Sequence, residues 1–158
     1  SAINSLKDLK NISYITVHIN GGLDMLKAIK KSSKKINTKL KILGVTVLTS
    51  FSNSSIKKIG HTKTIKEIVK KQINLARLSK LDGIVCSGHE AKALKKICKN
   101  MEIVTPGIRM LGDNKGDQKR IMTPKEAFKN GATSIVVGRS ITKGNIKKNI
   151  QLLIKSLN

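Results

Sequence analysis

Apolar residues fall into two kinds of run along this chain, and the two kinds alternate. Short, mostly β-branched stretches read as strands: Tyr14–Ile19, Leu40–Leu48, Asp82–Cys86, Glu102–Thr105 and Ser134–Val137. Between them the apolar positions recur at helical spacing. A helix is expected at residues 2–10, and a second runs from after Gly21-Gly22 to about Lys35. From Thr62 to Leu78, Ile65, Ile68, Val69, Ile73, Leu75 and Ala76 form one face, and Thr64 with Glu67 makes a capping box. Helices are also expected at His89–Lys99, from Thr123-Pro124 with proline at the first position, and at Ile146–Leu157.

The strands are apolar on both faces, which predicts a parallel sheet covered by helices. Polar and glycine-rich residues gather just after each one: His18 and Gly21, Thr49-Ser50, Ser87-Gly88, Gly107 and Arg109, Gly138 and Arg139. An α/β protein loads its site at the carboxyl ends of its strands in this way. Five β-α units in one domain, residues 1–158, are too few for a closed (β/α)₈ TIM barrel, which needs about 250 residues. The expected architecture is the last five units of such a barrel.

Charge sharpens the choice of site. The net charge is +23, but lysine supplies nearly all of it, in pairs spread over the helices. Only Arg77, Arg109, Arg120 and Arg139 are arginines among the 32 basic residues. Where lysine is the default cation, a guanidinium points to two-pronged binding of phosphate or carboxylate. Three of the four fall between Pro106 and Ser140, so that stretch is the candidate phosphate site. Tyr14, Phe51 and Phe128 are the only aromatics, which leaves no stacking platform for bases and argues against specific nucleic-acid binding. No apolar run reaches the ~18 residues of a transmembrane helix. Cys86 and Cys98 fit neither a disulfide framework nor a zinc site and read as buried thiols of a cytoplasmic protein. His18 at a strand end is more in keeping with a structural hydrogen bond than with a site role. Ser50, Ser52 and Ser54 have no base partner for nucleophilic work. Arg120 is expected to pair with Asp117 or Glu126, outside the site.

Five segments in register carry a more specific likeness: Val45-Thr-Val-Leu-Thr-Ser50, Asp82-Gly-Ile-Val-Cys-Ser87, Val104-Thr-Pro-Gly-Ile-Arg109, Gly116-Asp-Gln-Lys-Arg-Ile-Met-Thr-Pro124 and Val136-Val-Gly-Arg-Ser-Ile-Thr142. In order and spacing they resemble the bacterial orotidine 5′-phosphate decarboxylases, over Tyr14 to Leu157. The resemblance implies a barrel that converts orotidine 5′-phosphate to UMP and CO₂ for pyrimidine biosynthesis, with no metal or organic cofactor, as a homodimer. It implies substrate contacts from Thr49 near the pyrimidine, from Arg109, Gly138 and Arg139 at the phosphate, and from Gln118 on a loop, Met110 to Asp117, that closes over the ligand. A related phosphate-sugar barrel, an epimerase or hexulose-phosphate synthase, shares the terminal Gly-Arg, but the Pro-Gly-Ile-Arg and Gly-Asp-Gln-x-Arg pair argues against it.

The family's catalytic Asp-x-Lys-x-x-Asp run does not occur in these residues. Asp8-Leu9-Lys10 lacks the second Asp three positions on. Ser1 is expected to begin just past that motif, so no catalytic residue is assigned. Two readings stay open: a piece of a complete decarboxylase, or a short, inactive natural product. With open sheet edges, the isolated chain is expected to fold poorly and to lack turnover.

Overall fold

Why the strands lie side by side in chain order follows from their connections. Each is joined to the next by a helical crossover, which forces parallel pairing. The computed structural model describes residues 3–6, 11–36, 39–113, 116 and 120–157. Asp8-Leu9-Lys10, Gln118 and most of the helix expected at residues 2–10 lie outside them, and a single 3₁₀ turn spans Asn4–Leu6.

Strand β1 is Tyr14–His18, followed by helix α1 at Gly22–Ile36; β2 is Lys41–Val45, followed by α2 at Asn53–Lys58 and α3 at Ile65–Leu78. Then come β3 at Gly83–Val85, α4 at Gly88–Leu94, β4 at Glu102–Thr105 and α5 at Pro124–Lys129. The chain ends with β5 at Ser134–Ile135, α6 at Arg139–Thr142 and α7 at Ile146–Leu157. All pairs are parallel and the order is β1-β2-β3-β4-β5. This unbroken order is the wall of a β/α barrel, and the chain is part of one.

Strand register divides the side chains between two faces. Ile42, Ile84 and Ile103 turn to the helix layer, where they join Leu26 of α1 and Val69, Ile73 and Ala76 of α3 in a buried core. The opposite face carries Val45, Val85 and Val104 in one row, with Tyr14 and His18 exposed at its β1 edge. At its amino end, Lys41 pairs with Glu102 and lies 5.6 Å from the ring of Tyr14, whose hydroxyl donates to Glu102 at 3.2 Å. Asp82 ties the layers together: it pairs with Lys30 of α1 and accepts the Ile42 amide at 2.7 Å.

Several boundaries differ from those predicted. Strand β2 stops at Val45 rather than Leu48, because the carbonyls of Val47 and Leu48 accept from a side chain and not from a neighbouring strand. Strand β5 is two residues rather than four. Helix α4 starts one residue early, at a Ser87 cap, and ends at Leu94; tight turns bonding back to the Leu94 carbonyl carry the chain to Cys98. Two short helices escaped prediction. Helix α2 has an unusual box built from Ser52 and Ser55, and α6 is only one turn.

The predicted Thr64–Glu67 box is present, and Thr123–Glu126 forms another at the start of α5. The hydrogen bonds from each threonine hold both glutamates below the usual carboxylate range. Their contribution to stability is therefore present above the ordinary glutamate range and is lost as pH falls through the depressed one. Thr123→Ala should cost about 1 kcal/mol of stability. It should also flatten the acid limb of a plot of unfolding free energy against pH; an unchanged limb would argue against the box.

Candidate functional site

The carboxyl ends of β2 to β5 open onto one pocket of about 340 Å³. Its wall is apolar, from Val45, Val85 and Val136, and its rim is polar, from Thr49, Arg109, Gly138 and Arg139. A second pocket of about 290 Å³ adjoins it and shares both arginines, adding Gly116, Ser140, Lys143 and the single carboxylate of Asp113. The two guanidiniums thus converge on one cavity mouth although their positions are thirty residues apart in the chain.

Local structure explains how each is held. Ile108 and Met122 form an isolated parallel bridge: the Arg109 amide donates to the Met122 carbonyl at 3.0 Å, and the Met122 amide to Gly107 at 3.2 Å. That bridge fixes the backbone on both sides of the 110–120 loop. Arg109 is buried, 6% exposed, and its Nη1 donates to the Ile108 carbonyl at 2.8 Å. Arg139 is exposed and starts α6, one residue after Gly138. A Cβ on Gly138 would meet nothing within 4 Å, so the backbone there borders open space. Gly116 has a φ of +60°, and a Cβ on it would lie 2.5 Å from Arg139 Nη1. A side chain at 116 would push the guanidinium aside, and the positive φ favours glycine there.

Thr49 is 7% exposed and lines the first pocket from the turn after β2. Four of the five site residues expected from the sequence, Thr49, Arg109, Gly138 and Arg139, therefore line one pocket. The fifth, Gln118, lies outside the described residues. His18 shares the pocket-wall face but does not line the pocket.

Arg120 requires a correction. Its acid is not Glu126, which is engaged by Thr123, but Glu90 of α4. Asp117, the other expected partner, is outside the described residues. Arg120 also donates from Nη2 to the Val47 and Leu48 carbonyls, at 3.1 and 2.9 Å. Burial pushes the Glu90 carboxyl above its usual range, with Arg120 opposing it. The only sequence signal for this role was the scarcity of arginine itself. Cys86 and Cys98 are both free and buried, and burial raises both thiols. Cys86 lines the pocket floor as an apolar group, not as a nucleophile. Among the described residues no cluster of His, Cys, Asp or Glu could hold a metal ion, and no helix is long and apolar enough to cross a membrane.

Residues 2–149 match the sequence profile of the orotidine 5′-phosphate decarboxylase / HUMPS family. This chain belongs to that family. It is 42% identical over 132 residues to the orotidine 5′-phosphate decarboxylase of Coxiella burnetii, which covers 82% of this chain and 56% of the relative. It is 45% identical over 149 residues to that of Wolbachia sp. subsp. Brugia malayi, covering 93% of this chain and 65% of the relative. The chain thus spans little more than half to two thirds of the length of these relatives. Among solved structures, the orotidine 5′-phosphate decarboxylase of Lactobacillus acidophilus superposes over 99% of this chain and 68% of its own, with a TM-score of 0.78 and 32% identity. An orotidine 5′-monophosphate decarboxylase from Methanocaldococcus jannaschii, solved with the inhibitor BMP, shares the fold at a TM-score of 0.70 and 22% identity. Family membership thus accords with the pocket's position at the carboxyl ends of the strands.

Proposed function

We propose that the protein containing this chain decarboxylates orotidine 5′-phosphate to UMP, and that these residues supply strands four to eight of the barrel and the nucleotide-binding side of its site. The observation that carries the reading is the convergence of Arg109 and Arg139 on one cavity mouth beside an apolar wall. A dianionic phosphate fits the two forks, with Gly138 admitting it close to the backbone. The pyrimidine lies along Val45, Val85 and Val136, with the Thr49 hydroxyl beside it. The family resemblance gives Gln118, outside the described residues, a contact with the same ligand. Family membership and the relatives' activity support this assignment of roles, as does the inhibitor held by the Methanocaldococcus jannaschii protein.

The chain's own residues then do the binding part of the work. Holding the phosphate at a distance from the reacting ring lets remote binding energy orient the pyrimidine and exclude water. Carboxylate and ammonium groups that act on the leaving CO₂ and the developing carbanion belong to the Asp-x-Lys-x-x-Asp run, which these residues do not contain. The same reading makes the enzyme a cytoplasmic homodimer that binds a small nucleotide and no specific nucleic acid.

The test uses the full-length protein. Orotidine 5′-phosphate should be consumed with release of UMP, and UMP should bind at least about a hundredfold more tightly than uridine. That ratio corresponds to about 3 kcal/mol, the scale of two charge-assisted hydrogen bonds. Equal affinity for the two ligands would remove the phosphate assignment.

A further inference from the structure

Arg120 makes a side-chain network near the pocket without lining the pocket itself. One guanidinium ties its own segment to two others that are far apart in sequence. Its Nη1 pairs with Glu90, on the first turn of α4, and its Nη2 donates to the consecutive carbonyls of Val47 and Leu48. Both charged side chains are largely buried, at 14% and 13% exposed. Leu48 also accepts from the Phe51 amide at 3.0 Å, so its carbonyl closes the turn that contains Thr49. Arg120 therefore grips the first carbonyl of the turn on which Thr49 sits, and the carbonyl before it.

The other end of this connection is the loop itself. Four residues before Arg120, Gly116 abuts the Arg139 guanidinium. Gly116 thus touches the phosphate end of the pocket, and Arg120 the Thr49 end.

A stability role explains these facts poorly. Arg120 Nε and Glu90 Oε2 are buried without a hydrogen-bond partner among the described residues. A buried pair with unsatisfied atoms stabilises little against an apolar replacement. What the arrangement does fix is direction: two successive carbonyls held to one nitrogen set the backbone on either side of Leu48. The guanidinium reaches the carboxylate through Nη1 and the two carbonyls through Nη2, a rigid separation that the single nitrogen of an ammonium does not reproduce.

We propose that Arg120 is a positioning residue: held by Glu90, it sets the Thr49 turn against the phosphate end of the pocket, and so aligns the pyrimidine with the phosphate. This rests on the nucleotide-site reading above. It acts through Thr49 and touches no ligand.

The test compares two ligands in the full-length protein, UMP by calorimetry and inorganic phosphate by phosphorus NMR. Arg120→Met should weaken UMP binding about tenfold, on the scale of one charge-assisted hydrogen bond, and leave phosphate binding unchanged. Arg120→Lys should not restore UMP affinity. Combined with Thr49→Val, Arg120→Met should add less than about twofold, because the two act in series. Glu90→Gln, which keeps shape and removes charge, should weaken UMP in the same direction and serves if Arg120→Met does not fold. Equal loss of both ligands, full additivity with Thr49→Val, or UMP affinity unchanged in Arg120→Met and Glu90→Gln would each overturn the proposal. Wild-type protein that binds neither ligand would instead overturn the nucleotide site, on which the proposal depends.

Discussion

Arg139→Ala should lower UMP affinity by about a hundredfold, or about 3 kcal/mol, while leaving uridine binding and the unfolding midpoint nearly unchanged. The selectivity follows from where the residue sits. Arg139 is exposed at the pocket mouth and begins a one-turn helix, so its side chain contributes little to packing. It lines the second pocket with Arg109 and Lys143, three cations to the one carboxylate of Asp113, an excess that favours a bound anion. Removing one fork takes a charge-assisted donor from the bound state. Under the proposed function, kcat/KM for orotidine 5′-phosphate in the full-length protein should fall by a similar factor. A loss below tenfold would mean that the phosphate is held elsewhere. Arg109 is the instructive contrast: at 6% exposed it is buried, and its Nη1 bonds a main-chain carbonyl, so its removal would mix binding and folding effects.

Ile84→Ala should destabilise the fold by about 3 kcal/mol, within the 2–5 range for emptying a fully buried aliphatic site. Ile84 is 0% exposed and sits on the middle strand, in register with Gly44 on one side and Ile103 on the other. Removing its three carbons leaves a cavity between the sheet and α3, and the neighbouring strands are too constrained by their ladders to close it. The loss is a large share of a typical domain's 5–15 kcal/mol. Chemical denaturation should show a lower midpoint with an unchanged slope. A cost under about 1 kcal/mol would show that this layer is loosely packed. UMP affinity of the folded fraction should stay within about twofold, since Ile84 faces the helices and the pocket lies on the other face.

Much of this could be read from the chain because it is local. The alternation of β-branched runs with helical faces reports backbone propensity and burial, and neither needs a distant partner. Thr64–Glu67 and Thr123-Pro124 are complete capping signals within four residues, and both start helices. The family likeness named Thr49, Arg109, Gly138 and Arg139, and these four line one pocket at the carboxyl ends of the strands because parallel β-α units place every post-strand loop on one side. The short helices were not legible. The Ser52–Ser55 box does not look like the usual threonine–glutamate pair, and α6 is one turn held by its surroundings.

What tertiary structure alone decided was partnership. Arg120 had two carboxylates nearby in sequence, yet its ion pair is with Glu90, thirty positions upstream, and its other bonds reach back more than seventy residues to Val47 and Leu48. Sequence distance says nothing about which carboxylate ends up in the same buried place. The same holds for the meeting of Gly116 with Arg139. Local pattern sets which elements form and which ends are polar, because those energies are summed along the chain. Which charges meet is set by the packing of whole units, because a buried ion takes whichever counter-charge the sheet and helices bring within reach.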